Sequence, residues 1–243
     1  MLKKSFKYIL IAAIACYLVF AFIIAPSLED KDECRDLVIN ISGNRLGTIN
    51  NDEIINALKE NNLYPKGKMM DSISCLEIKD FIMTMSMVKE CQTYKTNNNT
   101  VKLKLVCREP VLKVYDKSGA TYYVDSEGSR ITDIKKPLIR PVASGEINDK
   151  MIGRELKAIA SVIKNDPFWM AQIEQIYFNK GKEAVIVPRI GNHIIELGTV
   201  DKLKDKLSSI KIFYTDGLSI VGWDKYNKLN IKISNKVICT KNE

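Results

Sequence analysis

One histidine, His193, is all the imidazole in this 243-residue chain. That scarcity excludes a two-histidine metal site and any relay that passes protons between imidazoles. At the start of an alternating stretch, His193 reads as a strand residue beside a turn. The chain also lacks G-x-S-x-G, H-E-x-x-H and P-loop patterns. Asp201 and Asp205 sit four apart among Lys202, Lys204 and Lys206, which is a charged helix face and not a tuned acid pair. Phe168 and Trp169 could form a ligand platform, but core or helix-end packing suits them better. No internal repeat and no low-complexity linker interrupts the chain. A membrane-anchored enzyme is therefore the weakest reading, and no cofactor is expected.

Charge is missing altogether from Tyr8 to Leu28. At helical rise these 21 residues span roughly 30 Å, one bilayer core. Lys3, Lys4 and Lys7 precede the run, and the mainly acidic Glu29, Asp30, Asp32 and Glu33 follow it. The positive flank is retained in the cytoplasm. This predicts a cytoplasmic tail at 1–7, a transmembrane helix at 8–28 that meets the lipid bilayer, and a body beyond it in the periplasm. A cleaved signal would have a shorter apolar region, and its only small-x-small site, Ala25-Pro26-Ser27, lies at the far end. A lipoprotein signal at Cys16 is set aside because the apolar run continues past it. A buried soluble helix would show a polar face, and this stretch has none.

The formal charge is +8, and +5 remains once the three N-terminal lysines are removed. Outside the cytoplasm nucleic acid is scarce, and the lysines alternate with strand residues, as in Val101-Lys102-Leu103-Lys104-Leu105. Solvated faces of strands and helices are the expectation, with mild attraction to an anionic membrane surface as the alternative, and no nucleic-acid partner. Cys34, Cys75, Cys91, Cys107 and Cys239 are odd in number, so at least one thiol stays free or pairs with another chain. Their spacings match no zinc pattern, and sequence does not choose among possible bridges.

The body divides into two units. The first, 34–110, reads strand, helix, helix, strand, strand. Leu37 to Ile41 is a strand closed by Ser42-Gly43-Asn44. Asn50 with Glu53, and Ser74 with Glu77, are spaced as capping boxes, with Ile49/Ile54 and Ile73/Ile78 as hydrophobic staples. Ile54, Ala57 and Leu58 form one apolar stripe, and Ile78, Phe81, Ile82 and Met85 the other. Val88 to Thr96 and Val101 to Cys107 flank Asn97-Asn98-Asn99 as a hairpin. Two helices must then cover one face of a three-stranded sheet. The second unit, 111–243, is mostly antiparallel strands with two helices: Ile152 to Ile163, ended by Asp166-Pro167, and Leu203 to Phe213. It closes with strands at Leu229 to Ile233 and Lys236 to Thr240. The fold class is α+β behind a single N-terminal transmembrane helix.

This order of elements resembles the POTRA domain and following β domain of the bacterial cell-division family FtsQ, called DivIB in Gram-positive species. The likeness rests on Arg108-Glu109-Pro110 after the first unit, Tyr122 to Gly128 as a Y-x-V/I-D-x-x-G turn, and Pro141 to Gly145 as a P-V-x-x-G strand. Gln172 to Ile176 and Ile194 to Gly198 continue it. Gly222-Trp223, Leu229 to Ile231 and Val237 to Lys241 are similar to the Bacteroidota branch. Departures are Met85 to Val88, where Pro and an aromatic are usual, and Cys107, where Glu often stands before the arginine.

The resemblance implies a non-catalytic inner-membrane scaffold that links early and late division proteins. Its partners would be FtsB- and FtsL-like coiled-coil proteins and other members of the division complex. A sheet edge offers unpaired N–H and C=O groups to a partner's strand. The expected edge comprises Asn230, Ile231, Lys232, Ile233, Val237 and Ile238, with Trp223 and Tyr226 as aromatic anchors. The competing expectation is that these strands are fully paired within the sheet. A POTRA-type assembly chaperone, capturing clients along Val88 to Thr96, would be expected to carry repeated modules or a barrel, neither of which is visible in this sequence.

Overall fold

A computed structural model describes residues 13–19 and 33–242. Residues 13–19 are helical. Among the described residues no helix is long and apolar enough to cross a membrane. The expected tail at 1–7, and residues 8–12 and 20–28 of the expected span, lie outside the described residues.

The first unit forms a three-stranded sheet. Strand β1 (Asp36–Ser42) runs parallel to β3 (Thr100–Cys107), and β2 (Val88–Thr96) pairs antiparallel on the other side of β3. Between β1 and β2 come α1 (Asn51–Glu60) and α2 (Cys75–Met83). Asn50 caps α1 with a complete box: its side chain accepts from the Glu53 N–H while Glu53 accepts from the Asn50 N–H. Ser74 caps α2 from one side only, accepting from Glu77. Ile54, Leu58, Ile78 and Ile82 are buried against Val101, Leu103 and Leu105 of β3, so both helical stripes face the middle strand.

The second unit is a nine-stranded sheet. It contains β4 (Leu112–Tyr115), β5 (Thr121–Val124), β6 (Arg130–Ile131), β7 (Val142–Gly145), β8 (Ile173–Phe178), β9 (Ala184–Pro188), β10 (Ile194–Gly198), β11 (Tyr226–Asn230) and β12 (Ile238–Lys241). Their spatial order is β12-β11-β10-β9-β8-β7-β4-β5-β6. The pairs β4/β7, β7/β8 and β10/β11 are parallel and the rest antiparallel. Parallel neighbours need crossover connections; β5, β6 and the chain after them link β4 to β7, and the other two crossovers are helical. One is Asp149–Met151 and Ile152–Leu156, the latter a wider π turn, running into α3 (Lys157–Asn165). The other is α5 (Leu203–Ile212), extended by a π turn, Phe213–Leu218, and by Ser219–Val221.

The first crossover ends in a helix that the sequence reading missed, α4 (Pro167–Gln172), which runs directly into β8. Asp166-Pro167 ends one helix and opens another. The Asp166 carboxylate accepts from the Phe168 N–H, and Pro167 occupies the first turn, where a missing N–H costs nothing. Trp169 is thereby driven into the core at 1% exposure. That burial is the core packing expected for Trp169 in preference to a ligand platform.

The two units meet over a small apolar cluster of Met87, Tyr123 and Ile131, with Ile134 and Leu138 packed on it. Arg108 bridges the seam. Its Nη1 donates to Asp125 Oδ2 at 2.9 Å and to Ser129 Oγ at 2.8 Å. Asp125 is 4% exposed, and its other oxygen accepts from the Glu127 and Ser129 N–H groups. The arginine of Arg108-Glu109-Pro110 and the aspartate of the Tyr122 to Gly128 turn are thus two halves of one contact.

Candidate partner-binding edge

β12 closes the nine-stranded sheet on one side, and among the described residues its neighbour is β11, on the other side only. Its pairs are Asn230↔Ile238, Leu229↔Cys239 and Lys228↔Thr240, with a bulge before Tyr226↔Lys241. The direction of its backbone groups follows from two bonds. The Ile231 N–H donates to Glu196 O on β10, so by the two-residue period Asn230 and Lys228 address β12. The Asn242 N–H donates to Lys225 O on the β11 side. Both assign Ile238, Thr240 and Asn242 to the inner ladder. Cys239 and Lys241 carry the outward N–H and C=O groups.

The strands are shorter than the hydrophobic pattern predicts. β11 ends at Asn230 and β12 begins at Ile238, so Lys232, Ile233 and Val237 lie in the connecting loop. The Asn230 side chain accepts from the Lys232 N–H, turning the chain immediately after β11, and Asn235 adopts a left-handed φ of 63°. Ile231 is fully buried, and its side chain belongs to the core. Ile233 and Ile238 are 57% and 55% exposed, large apolar side chains beside the free edge.

Trp223 and Tyr226 are half-buried and pack inward as well as outward. Trp223 meets Tyr214 edge-on at 5.2 Å, and Tyr226 lies 6.0 Å from Phe213. Lys232 pairs with Glu183, and Lys228 with Glu196. Both pairs are partly exposed and contribute little to stability.

His193 sits behind this edge, 2% exposed. Its Nε2 shares a 2.6 Å hydrogen bond with the Tyr214 hydroxyl, and its Nδ1 has no partner among the described residues. Tyr214 also touches Trp169, Phe168 and Trp223. Sequence spacing could not reveal this cluster, because its members come from α4, the β9–β10 loop, the end of α5 and the chain before β11. Burial pushes the His193 pKa below its ordinary 6.5 and raises that of Tyr214. The unfolded chain therefore takes up a proton near pH 6.5 that the fold refuses, so stability is full above that pH and falls as pH drops below it. Melting temperatures measured from pH 7.5 to pH 5 should decline in the native chain (as the sole histidine, His193 is the only side chain whose ordinary pKa lies in this window). His193→Gln should give a lower but flatter profile. An equally steep decline in the variant would refute this account.

Cys34 and Cys91 are buried, and all six cysteines are thiols. Burial raises the pKa of Cys75, Cys91, Cys107 and Cys239, which suppresses the nucleophilic thiolate. Among the described residues no group of three or more His, Cys, Asp or Glu could hold a metal ion.

A helix-covered module is followed by a broad sheet that ends in a strand paired on one side among the described residues. Comparison with family models assigns each of the two units. The description "POTRA-like domain" matches residues 32–106, and "FtsQ/DivIB, C-terminal related" matches residues 109–240, more than half of the chain. The chain belongs to the FtsQ/DivIB family, a non-enzymatic family of cell-division proteins that are typically membrane-anchored. No curated protein matches it.

Proposed function

We propose that this chain is an inner-membrane scaffold of the division complex, anchored through residues 8–28 with its body in the periplasm. Units 34–110 and 111–243 then act as successive docking modules that link early and late division proteins. The main contact is strand addition at β12 by FtsB- and FtsL-like proteins. The observation that carries this reading is the pair of outward-facing backbone sets at Cys239 and Lys241, flanked by exposed Ile238 and Ile233. A partner strand satisfies those groups, while Ile238, Trp223 and Tyr226 supply side-chain anchoring. Family membership supports division partners in general.

Cys239→Pro and Lys241→Pro each delete an outward N–H without removing an inner ladder bond, and proline is tolerated on edge strands. Each should weaken capture of FtsB- or FtsL-like proteins from the same cell by about tenfold or more. Cys239→Ala and Lys241→Ala should capture normally, with circular dichroism unchanged throughout. Full capture by both folded proline variants would exclude β12 as the edge. For topology, a reporter active only in the periplasm and fused after Glu243 should be active. An inactive fusion on an intact, membrane-bound chain would overturn the orientation.

A further inference from the structure

The helix-covered face of the second unit carries a feature unrelated to the β12 rim. Between the start of α3 and the start of α5 runs an open groove of about 730 Å³. Half-buried Ala158 and Val162 and buried Leu203 form its floor. Arg154, Lys157, Lys202 and Lys204 form its rim, all exposed, with Asp205 the one acid. Among the described residues none of the four cations is in an ion pair. A smaller hollow of about 230 Å³ continues along Val162 and Leu207 and ends at the Lys211–Asp166 pair.

We propose that this groove docks an acidic amphipathic helix from a protein partner. Three physical facts select that occupant. Four unpaired cations around an apolar floor complement a partner with an apolar stripe flanked by carboxylates. The flanking stretches of α3 and α5 are helical, with their backbone largely bonded internally. An extended segment lying there would leave its own N–H and C=O groups unmatched, whereas a helix brings them already satisfied. The apolar residues are recessed below the cationic rim, so a flat lipid surface would touch the charges and miss the floor. The groove is separate from β12, so the two contacts can be lost independently.

The test uses the full chain and a synthetic 18-residue peptide with leucines at helical spacing and glutamates on both flanks, followed by fluorescence anisotropy. The peptide should bind, and raising salt should weaken it. Neutralising the rim with Arg154→Gln, Lys157→Gln, Lys202→Gln and Lys204→Gln together should cost about tenfold or more in affinity. Ala158→Trp, which fills the floor from the surface, should do the same while the charges remain. Cys239→Pro should leave peptide binding unchanged, which separates this groove from the strand edge. A sequence-scrambled peptide and a lysine-for-glutamate peptide should fail to bind. Absence of binding to the native chain, equal binding of the scrambled peptide, or undiminished binding by the folded rim and floor variants would each overturn the proposal. Binding of anionic vesicles without binding of the peptide would also overturn it, in favour of a lipid surface.

Discussion

Gly145→Ala should lower the melting temperature by more than about 6 °C, equivalent to a loss of about 3 kcal/mol or more in a body of this size. Gly145 ends β7 opposite Phe178 on β8, at a φ of +100°. A Cβ there would lie 2.2 Å from the Phe178 carbonyl oxygen and 3.0 Å from its amide nitrogen. Those are backbone atoms and cannot swing aside. The close approach exists because the Glu146 N–H donates to that same Phe178 oxygen at 2.9 Å, turning the chain off the sheet. Gly119 gives the control: its φ is +86°, yet nothing among the described residues lies within 4 Å of the added methyl. Gly119→Ala should therefore cost only about 1 kcal/mol of backbone strain. Equal melting temperatures for the two variants would show that the parallel β7/β8 pair yields easily, against the packing described.

Arg108→Ala should be the most damaging change at the seam between the two units, by about 2–3 kcal/mol. Asp125 is 4% exposed, and removing the guanidinium leaves a buried carboxylate without its cation. The upper range for a broken buried pair is not expected, because Asp125 keeps two backbone N–H donors from Glu127 and Ser129. Arg108→Lys should fall between, since it keeps the cation but puts a shorter, more strongly hydrated ammonium where the single Nη1 reaches both Asp125 and Ser129. Chemical denaturation of Arg108→Ala, Asp125→Ala and the double variant would give the coupling energy. Additive losses would mean that the pair contributes nothing across the seam. A large coupling with an unfolding transition split in two would show that Arg108 makes the units melt as one.

Short-range patterns were legible. Asn50 with Glu53 and Ser74 with Glu77 announced both first-unit helices, because a cap and its partner lie within three residues. The stripe Ile54 and Leu58, and the stripe Ile78 and Ile82, faced the core as 3.6 spacing requires. Likeness in ordered motifs carried the family. The closing strands were legible only in outline. Alternation ran on through Ile231 and Ile233, but Asn230 captures the Lys232 N–H and ends β11 first, a local competition that apolar patterning does not register. Asp166-Pro167 was read as a stop, although the same pair also starts α4.

What the amino-acid sequence determined by itself is therefore the run of elements, their buried stripes and the family. Each depends on residues a few positions apart, where helix and strand periods act directly. Tertiary structure alone decided which strand is left at the rim, which way Cys239 and Lys241 point, and which distant side chains meet. Arg108 finds Asp125, His193 finds Tyr214, and Arg154 comes to face Lys204 across a groove. The antiparallel β4/β5 hairpin imposes the first meeting, and the crossovers that lead into the parallel pairs β7/β8 and β10/β11 bring together the other two, because each folds distant chain onto one face of the sheet.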